Sequence, residues 1–144
     1  MKKSLYLIAL LTPVLFGFHA PPAGGVSIKI KGVEGSKGQL ALLIFNGATG
    51  FPSDHNKALK QAMVPITGNT VVYTFADLPA GKYAVTVMHD ENKNNTLDTN
   101  MFGIPEEGIG VSNDALSMFG PPAFNECAFT HNGNATSIEI TLDY

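Results

Sequence analysis

The segment His89-Asp-Glu-Asn-Lys-Asn-Asn-Thr-Leu-Asp98 sets oxygen-bearing residues at alternate positions. With Asp90 as position 1, Asn92 falls at 3, Asn94 at 5, Thr96 at 7 and Asp98 at 9. This is the D-x-[DN]-x-[DN] alternation of a calcium loop. A tight turn brings the side-chain oxygens at 1, 3 and 5 around one point, and position 7 adds its backbone carbonyl. Asp98 would ligate directly or through water. Five oxygen donors in sequence, with no nitrogen or sulfur donor required, suit Ca²⁺, which prefers roughly six to eight oxygens.

Two departures separate this loop from an EF-hand. Position 6 is Asn95 where glycine is usual, although Asn enters the left-handed region more readily than most residues. Position 12 is Met101, so the bidentate glutamate is missing and Glu106 or Glu107 would have to fold back. A strand precedes the loop and no helix flanks it, so it is not a helix-opening switch. Asp90 and Asp98 supply two carboxylates. That charge points to an affinity on the order of 10⁻⁴ to 10⁻³ M, the range of extracellular modules. The alternative without a metal is a surface hairpin in which Asn and Asp side chains cap backbone amides.

Other chemistry is thinner. His89 adjoins Asp90, but His55 and His131 are isolated, and no H-E-x-x-H spacing offers a zinc site. Ser112, Ser117 and Cys127 lack the local motif of a nucleophile. Phe102, Phe119, Phe124 and Phe129, with Tyr73, Phe75 and Tyr83, are expected in the core rather than on a ligand platform. Cys127 is the single cysteine, so there is no internal disulfide. In a strand-like stretch over residues 123–129 it is expected to behave as a small buried hydrophobe. Pairing with another chain is the alternative.

The elements that must position the loop are mostly strands. Val26, Ile28 and Ile30 alternate with Ser27, Lys29 and Lys31, giving a strand with one wet face. Gly35-Ser-Lys-Gly38 is a hairpin-type turn, and the run Gln39 to Phe45, apolar on both faces, fits a central strand. Ser53 is expected to cap a short crossover helix over Asp54 to Met63, ended by Pro65. Further strands are expected at Val71 to Phe75, Tyr83 to Met88, Ile109 to Val111, Glu126 to Thr130 and Ser137 to Leu142. The Leu78-Pro-Ala-Gly81 and Asn132-Gly133 turns lie between them. The whole is expected to be an all-β single domain, a β-sandwich with one short crossover helix.

Of 144 residues, the first twenty have the form of a signal peptide: Lys2 and Lys3, then an apolar run from Ser4 to Phe18, with cleavage at residue 20 or as far as 23. Export to the periplasm or beyond is therefore expected, with residues 24–144 as the β-sandwich domain. The whole chain carries 9 basic and 12 acidic residues; without Lys2 and Lys3 the balance is 7 against 12. All basic residues are lysines and none cluster, which disfavours nucleic acid and anionic membranes as partners. No later segment is long and apolar enough for stable membrane insertion after signal removal.

Five blocks carry a family likeness. They are His89-Asp-Glu-Asn, Thr96-Leu-Asp-Thr-Asn100, Phe102-Gly-Ile-Pro-Glu-Glu-Gly108, Val111-Ser-Asn113 and Phe119-Gly-Pro-Pro-Ala-Phe124, joined upstream by Phe51-Pro and Leu78-Pro-Ala-Gly-Lys-Tyr-Ala84. The chain resembles the bacterial exported family known as domain of unknown function 2141 across almost all of its mature length. The resemblance implies export, a prealbumin-like or immunoglobulin-like sandwich and no established activity. That family usually has Gly where this chain has Asn95. The loop is also similar, more distantly, to calcium-bearing prealbumin-like repeats of surface adhesins, by pattern at Asp90, Asn92, Asn94 and Asp98.

The leading expectation is a non-enzymatic exported module with a calcium-braced loop that contacts an envelope protein or a glycan. The competing one is a hydrolase using His89 with Asp90, Glu106 or Glu107. A carrier with an aromatic-lined pocket for a small apolar ligand is the third. A cleft around His89 would favour the hydrolase. Side chains gathered at one point without a deep pocket would favour the brace.

Overall fold

A computed structural model describes residues 24–144. The signal peptide expected over residues 1–20, with its cleavage site up to residue 23, lies outside the described residues. Eight strands form two packed sheets: β1 (Val26–Lys31), β2 (Gln39–Phe45), β3 (Lys60–Val64), β4 (Val71–Phe75), β5 (Gly81–Asp90), β6 (Ile109–Val111), β7 (Phe129–His131) and β8 (Thr136–Thr141). The smaller sheet has the order β4-β1-β8, with β1 antiparallel to β4 and parallel to β8. The larger has the order β3-β2-β5-β6, all antiparallel, and β7 adds to the start of β5. The architecture is therefore an all-β, two-sheet sandwich of mixed pairing.

Period-two alternation decides which side chains meet between the sheets. Val26, Ile28 and Ile30 of β1 face Leu40, Leu42 and Ile44 of β2 and Val85 and Val87 of β5, closed by Leu78, Ile140 and Leu142. Each fully buried aliphatic side chain contributes roughly 1.5–3 kcal/mol. The outer faces of the two sheets differ. On the smaller sheet Lys29 and Lys31 both reach Glu139 in exposed ion pairs, beside Ser27, Thr74 and Ser137. The larger sheet turns Ala41, Leu43, Met63, Met88 and Ile109 outward.

The crossover helix expected over Asp54 to Met63 is not formed. Residues 49–57 make successive turns, and Lys60–Val64 is a strand paired with β2 from Leu40↔Val64 to Ile44↔Lys60. Ala62 and Val64 point inward and Gln61 and Met63 outward, a period of two hidden within a segment of helix-favouring residues. Pairing the otherwise open edge of β2 satisfies a row of backbone groups that no helix there would reach, and this tertiary gain overrides local propensity.

The short helix lies instead at Phe124–Cys127, named α1, in a stretch whose apolar character suggested a strand. Its start is held by Glu126, whose carboxylate accepts the amide of Ala123 at 2.9 Å. Cys127 is fully buried on it, packed with Ala84, Val111, Phe51 and Phe124 in a second small core outside the larger sheet. The first strand, the central β2 and the strands at residues 71–75 and 109–111 lie where the sequence placed them, and the one expected over residues 137–142 is formed as Thr136–Thr141. Among the described residues no helix is long and apolar enough to cross a membrane.

Candidate functional site

The loop begins at the last residue of β5. Asp90 is fully buried, and its carboxylate organises the turn after it. Oδ1 accepts the amide of Asn94 at 3.0 Å, and Oδ2 accepts the amide of Asn95 at 3.0 Å and Nε2 of Gln39 at 3.1 Å. Gln39 also donates to Oδ1 of Asn95 at 3.2 Å. Asp90 and Gln39 are cross-strand partners on β5 and β2, so the sheet register aims Gln39 at the loop. Asn95 adopts φ 61°, the left-handed conformation that position 6 requires, and Lys93 does so at φ 59°. Asparagine thus takes the place of the usual glycine without changing the turn.

Positions 3, 5 and 9 converge. Asn92 donates Nδ2 to Oδ2 of Asp98 at 2.6 Å, and Asn94 donates Nδ2 to Oδ1 of Asp98 at 2.9 Å. The oxygen of each amide is held in an Asx turn, Asn92 Oδ1 by the amide of Asn94 at 3.0 Å and Asn94 Oδ1 by the amide of Thr96 at 2.9 Å. Thr96, at position 7, enters through its backbone. The side chains of Asn92, Asn94 and Asp98 therefore meet while Asp90 lies beneath them bonded to amides. As the amides are set, Asn92 and Asn94 turn nitrogen rather than oxygen to Asp98. A cation at that point would draw on the second lone pair of each Oδ1 or turn the amides over. Among the described residues no three His, Cys, Asp or Glu side chains gather as a metal cluster. The donors available here are two carboxylates and two amides, a set for a hard cation rather than for zinc.

Of the two glutamates that could fold back, Glu107 does so. It is buried, with Oε1 accepting the amide of Glu91 at 3.0 Å and Oε2 that of Asp98 at 3.1 Å. Glu106 is exposed, and only its backbone joins the loop, by donating to the carbonyl of Asp98 at 2.9 Å. Glu107 thus ties the two ends of the loop through main-chain amides rather than joining the cluster of Asn92, Asn94 and Asp98.

His89 is buried between the sheets. Its Nε2 lies 2.8 Å from the carbonyl of Lys37, which can only accept, so Nε2 carries the proton. Nδ1 then accepts from the hydroxyl of Tyr144 at 2.7 Å, and that oxygen in turn accepts the amide of Glu34 at 2.9 Å. Both ring nitrogens are committed to structural bonds, and His89 is not among the residues that line the cleft over the larger sheet. His131 repeats the pattern with the carbonyl of Leu78 and the hydroxyl of Thr136. Ser112 is buried, donating to the carbonyl of Cys127 and accepting the amide of Val85. Burial pushes the Cys127 thiol up to about 11, with Glu126 adding to the shift.

Sequence reasoning missed the cleft beside the loop. It has a volume of about 1280 Å³ and lies over the outward face of the larger sheet. Its floor is Ala41, Leu43, Met63, Thr86, Met88 and Ile109, and Leu97, Ile104, Leu116 and Met118 stand around it. Of the aromatic residues assigned to the core, Phe102 and Phe119 are instead 80% and 99% exposed on the loops beside this cleft. None of the seven aromatics singled out lines it. The usable signal was the two-faced apolar pattern of β2, which marks a face needing cover as well as a central strand.

Residues 28–139 match the family model DUF2141, described as "Uncharacterized protein conserved in bacteria". No curated protein and no solved structure matches the chain.

Proposed function

The chain belongs to the DUF2141 family, and from that premise we propose that it is a non-enzymatic exported module, periplasmic or extracellular. Its Asp90 to Asp98 loop would be braced by Ca²⁺, and its surface would contact an envelope protein or a glycan. Asp90, Asn92, Asn94, Thr96 and Asp98 are the proposed ligands, Thr96 through its carbonyl. Its sandwich would be of the prealbumin-like or immunoglobulin-like kind.

One observation carries this reading: the side chains at positions 3, 5 and 9 converge, at 2.6 and 2.9 Å, above a buried Asp90 that shapes the turn. Two amide N–H groups now offset the charge of Asp98, and a divalent cation would do so more strongly. The engagement of both nitrogens of His89 favours the non-enzymatic reading over a hydrolase built on that residue. Exposed Met101, Phe102, Met118 and Phe119 offer the apolar contacts that a macromolecular partner would cover.

The test is thermal unfolding of the mature protein in EDTA and in millimolar Ca²⁺, with Mg²⁺ as control. Binding only to the native state adds about 1.4 kcal/mol when free Ca²⁺ is tenfold above Kd. For a domain of this size that raises Tm by on the order of 5 °C. Asp98→Asn keeps the shape of the side chain and removes its charge, so the Ca²⁺-dependent rise should vanish in that variant. An unchanged Tm in wild type across that Ca²⁺ range would sink the brace.

A further inference from the structure

We propose that the cleft over the outward face of the larger sheet is a binding site for a small amphiphile with an elongated apolar body and a cationic head. The two sheets differ in their outward faces. A sandwich exposes one face of each sheet, and on the smaller sheet that face is lysine, glutamate, serine and threonine with one exposed valine, Val72. On the larger sheet the corresponding face is mainly Ala41, Leu43, Met63, Met88 and Ile109, interrupted by Gln61 and Thr86, the pattern of a face that packs against something.

The surrounding structure makes this face a cleft rather than a flat patch. Val111 and Leu116, which pack in the second small core, line it. The loop segments Asn95 to Leu97 and Gly103 to Pro105, and residues of the stretch Leu116 to Pro122, line it as well. Its volume of about 1280 Å³ exceeds that of most small-molecule sites, roughly 300–1,000 Å³, and leaves room for an extended alkyl chain. Every methionine of the described residues is on or beside it. Met63, Met88 and Met118 line it, and Met101 is on the adjoining loop. Unbranched thioether side chains repack around apolar ligands of variable shape.

Charge selects the head group. Glu107 and Asp143 are the acidic residues that line the cleft, beside His55, and none of the seven lysines of the described residues does. Asp143 is exposed, and among the described residues its carboxylate takes no hydrogen bond, whereas that of Glu107 is engaged by two amides. A fatty-acid carboxylate would be placed beside like charge, while an ammonium head would find Asp143. A small ligand is favoured over an added peptide strand by the edge of β3. There Lys60 reaches across to the carbonyl of Ala76, and a charged side chain on an edge discourages strand pairing.

The inference stands whether or not the loop takes Ca²⁺, and the experiment separates the two. The mature protein is titrated calorimetrically with decyltrimethylammonium and with decanoate, both below their micelle concentrations, in EDTA and again in Ca²⁺. The expected result is saturable one-to-one binding of decyltrimethylammonium in both buffers, about tenfold tighter than decanoate, equivalent to about 1.4 kcal/mol. Asp143→Asn should weaken it about threefold, as befits an exposed charge pair. Met63→Lys, at a half-exposed edge position with folding verified by circular dichroism, should weaken it about tenfold or more. Decanoate binding as tightly as the cation, no saturable binding, or unaltered binding by Met63→Lys would each overturn the proposal. So would tighter binding of a lysine-capped apolar peptide, which would make the partner a protein. A dimer in sedimentation that the amphiphile cannot enter would make the occupant a second copy.

Discussion

The carboxylate of Glu107 accepts the amide of Asp98 at 3.1 Å, and with its other oxygen it accepts the amide of Glu91. A buried charge outside the loop thus ties the loop's beginning to its end. Glu107→Ala leaves both donors without this acceptor. Hydrogen bonds to charged groups contribute about 1.5–3 kcal/mol, and because Glu91 is exposed its amide can turn to water. A loss of about 1–2 kcal/mol is expected in urea unfolding. Amide exchange at Glu91 and Asp98 should quicken more than that at Val85 or Val87.

Gly38 ends the turn before β2 at φ 79°, and a Cβ there would meet the carbonyl oxygen of Asp90 at 2.1 Å and Cα of Glu91 at 2.5 Å. Both are backbone atoms and cannot swing aside. Gly38→Ala therefore combines left-handed strain of about 1–2 kcal/mol with displacement of the root of the loop. A fall in Tm of several degrees is expected, together with loss of any Ca²⁺-dependent rise. A variant with wild-type Tm and an intact Ca²⁺ response would contradict this geometry.

Tyr144 holds His89 in one tautomer. In Tyr144→Phe the Nδ1 atom loses its donor and the amide of Glu34 loses its acceptor, with an expected cost of about 1–2 kcal/mol. Nitrogen-15 spectra of the wild-type imidazole at pH 8 should show the proton on Nε2. A proton on Nδ1 would contradict the bond to the carbonyl of Lys37.

Burial raises the Cys127 thiol from 9.0 to about 11. A raised folded-state value means that its contribution to stability is fully present below the unfolded value and is lost as pH rises through the folded one. Stability should therefore fall between about pH 9 and 11, by on the order of 2 kcal/mol from this group. Burial also raises Tyr83 and Tyr144, which adds to the fall. Cys127→Ala lowers stability at every pH by opening a small cavity, but its decline between pH 8 and 10.5 should be shallower than in wild type. At pH 8 the native thiol should resist a water-soluble disulfide reagent and react on unfolding.

Opposite behaviour is expected of Glu139. Hydrogen bonds from Lys31 and then Lys29 hold its carboxyl below the usual range. Its contribution is present above the unfolded value and lost as pH falls through the folded one. The group lies on the exposed face of the sheet, so the effect should be small and should fade as salt is added. Comparison of wild type with Glu139→Gln in acid titrations at low and high salt checks both the sign and the screening.

Alternation in Val26 to Ile30, Val71 to Phe75 and Ser137 to Leu142 determined the inner and outer faces of three strands, because a strand with one wet face repeats every two residues. The spacing of Asp90, Asn92, Asn94 and Asp98 likewise determined a loop of Asx turns with Asn95 in the left-handed region, since those bonds span only two to five residues. Tertiary structure decided what depends on residues far apart. Residues 60–64 became a strand because β2 needed an edge partner, and Glu107 rather than Glu106 closed the loop because its buried carboxylate meets the amides of Glu91 and Asp98. His89 became a buried bridge because Tyr144 and Lys37 meet its two nitrogens. The cleft has the same origin: its methionines lie on β3, on β5 and on a loop, and only the pairing of those strands across β2 sets them side by side.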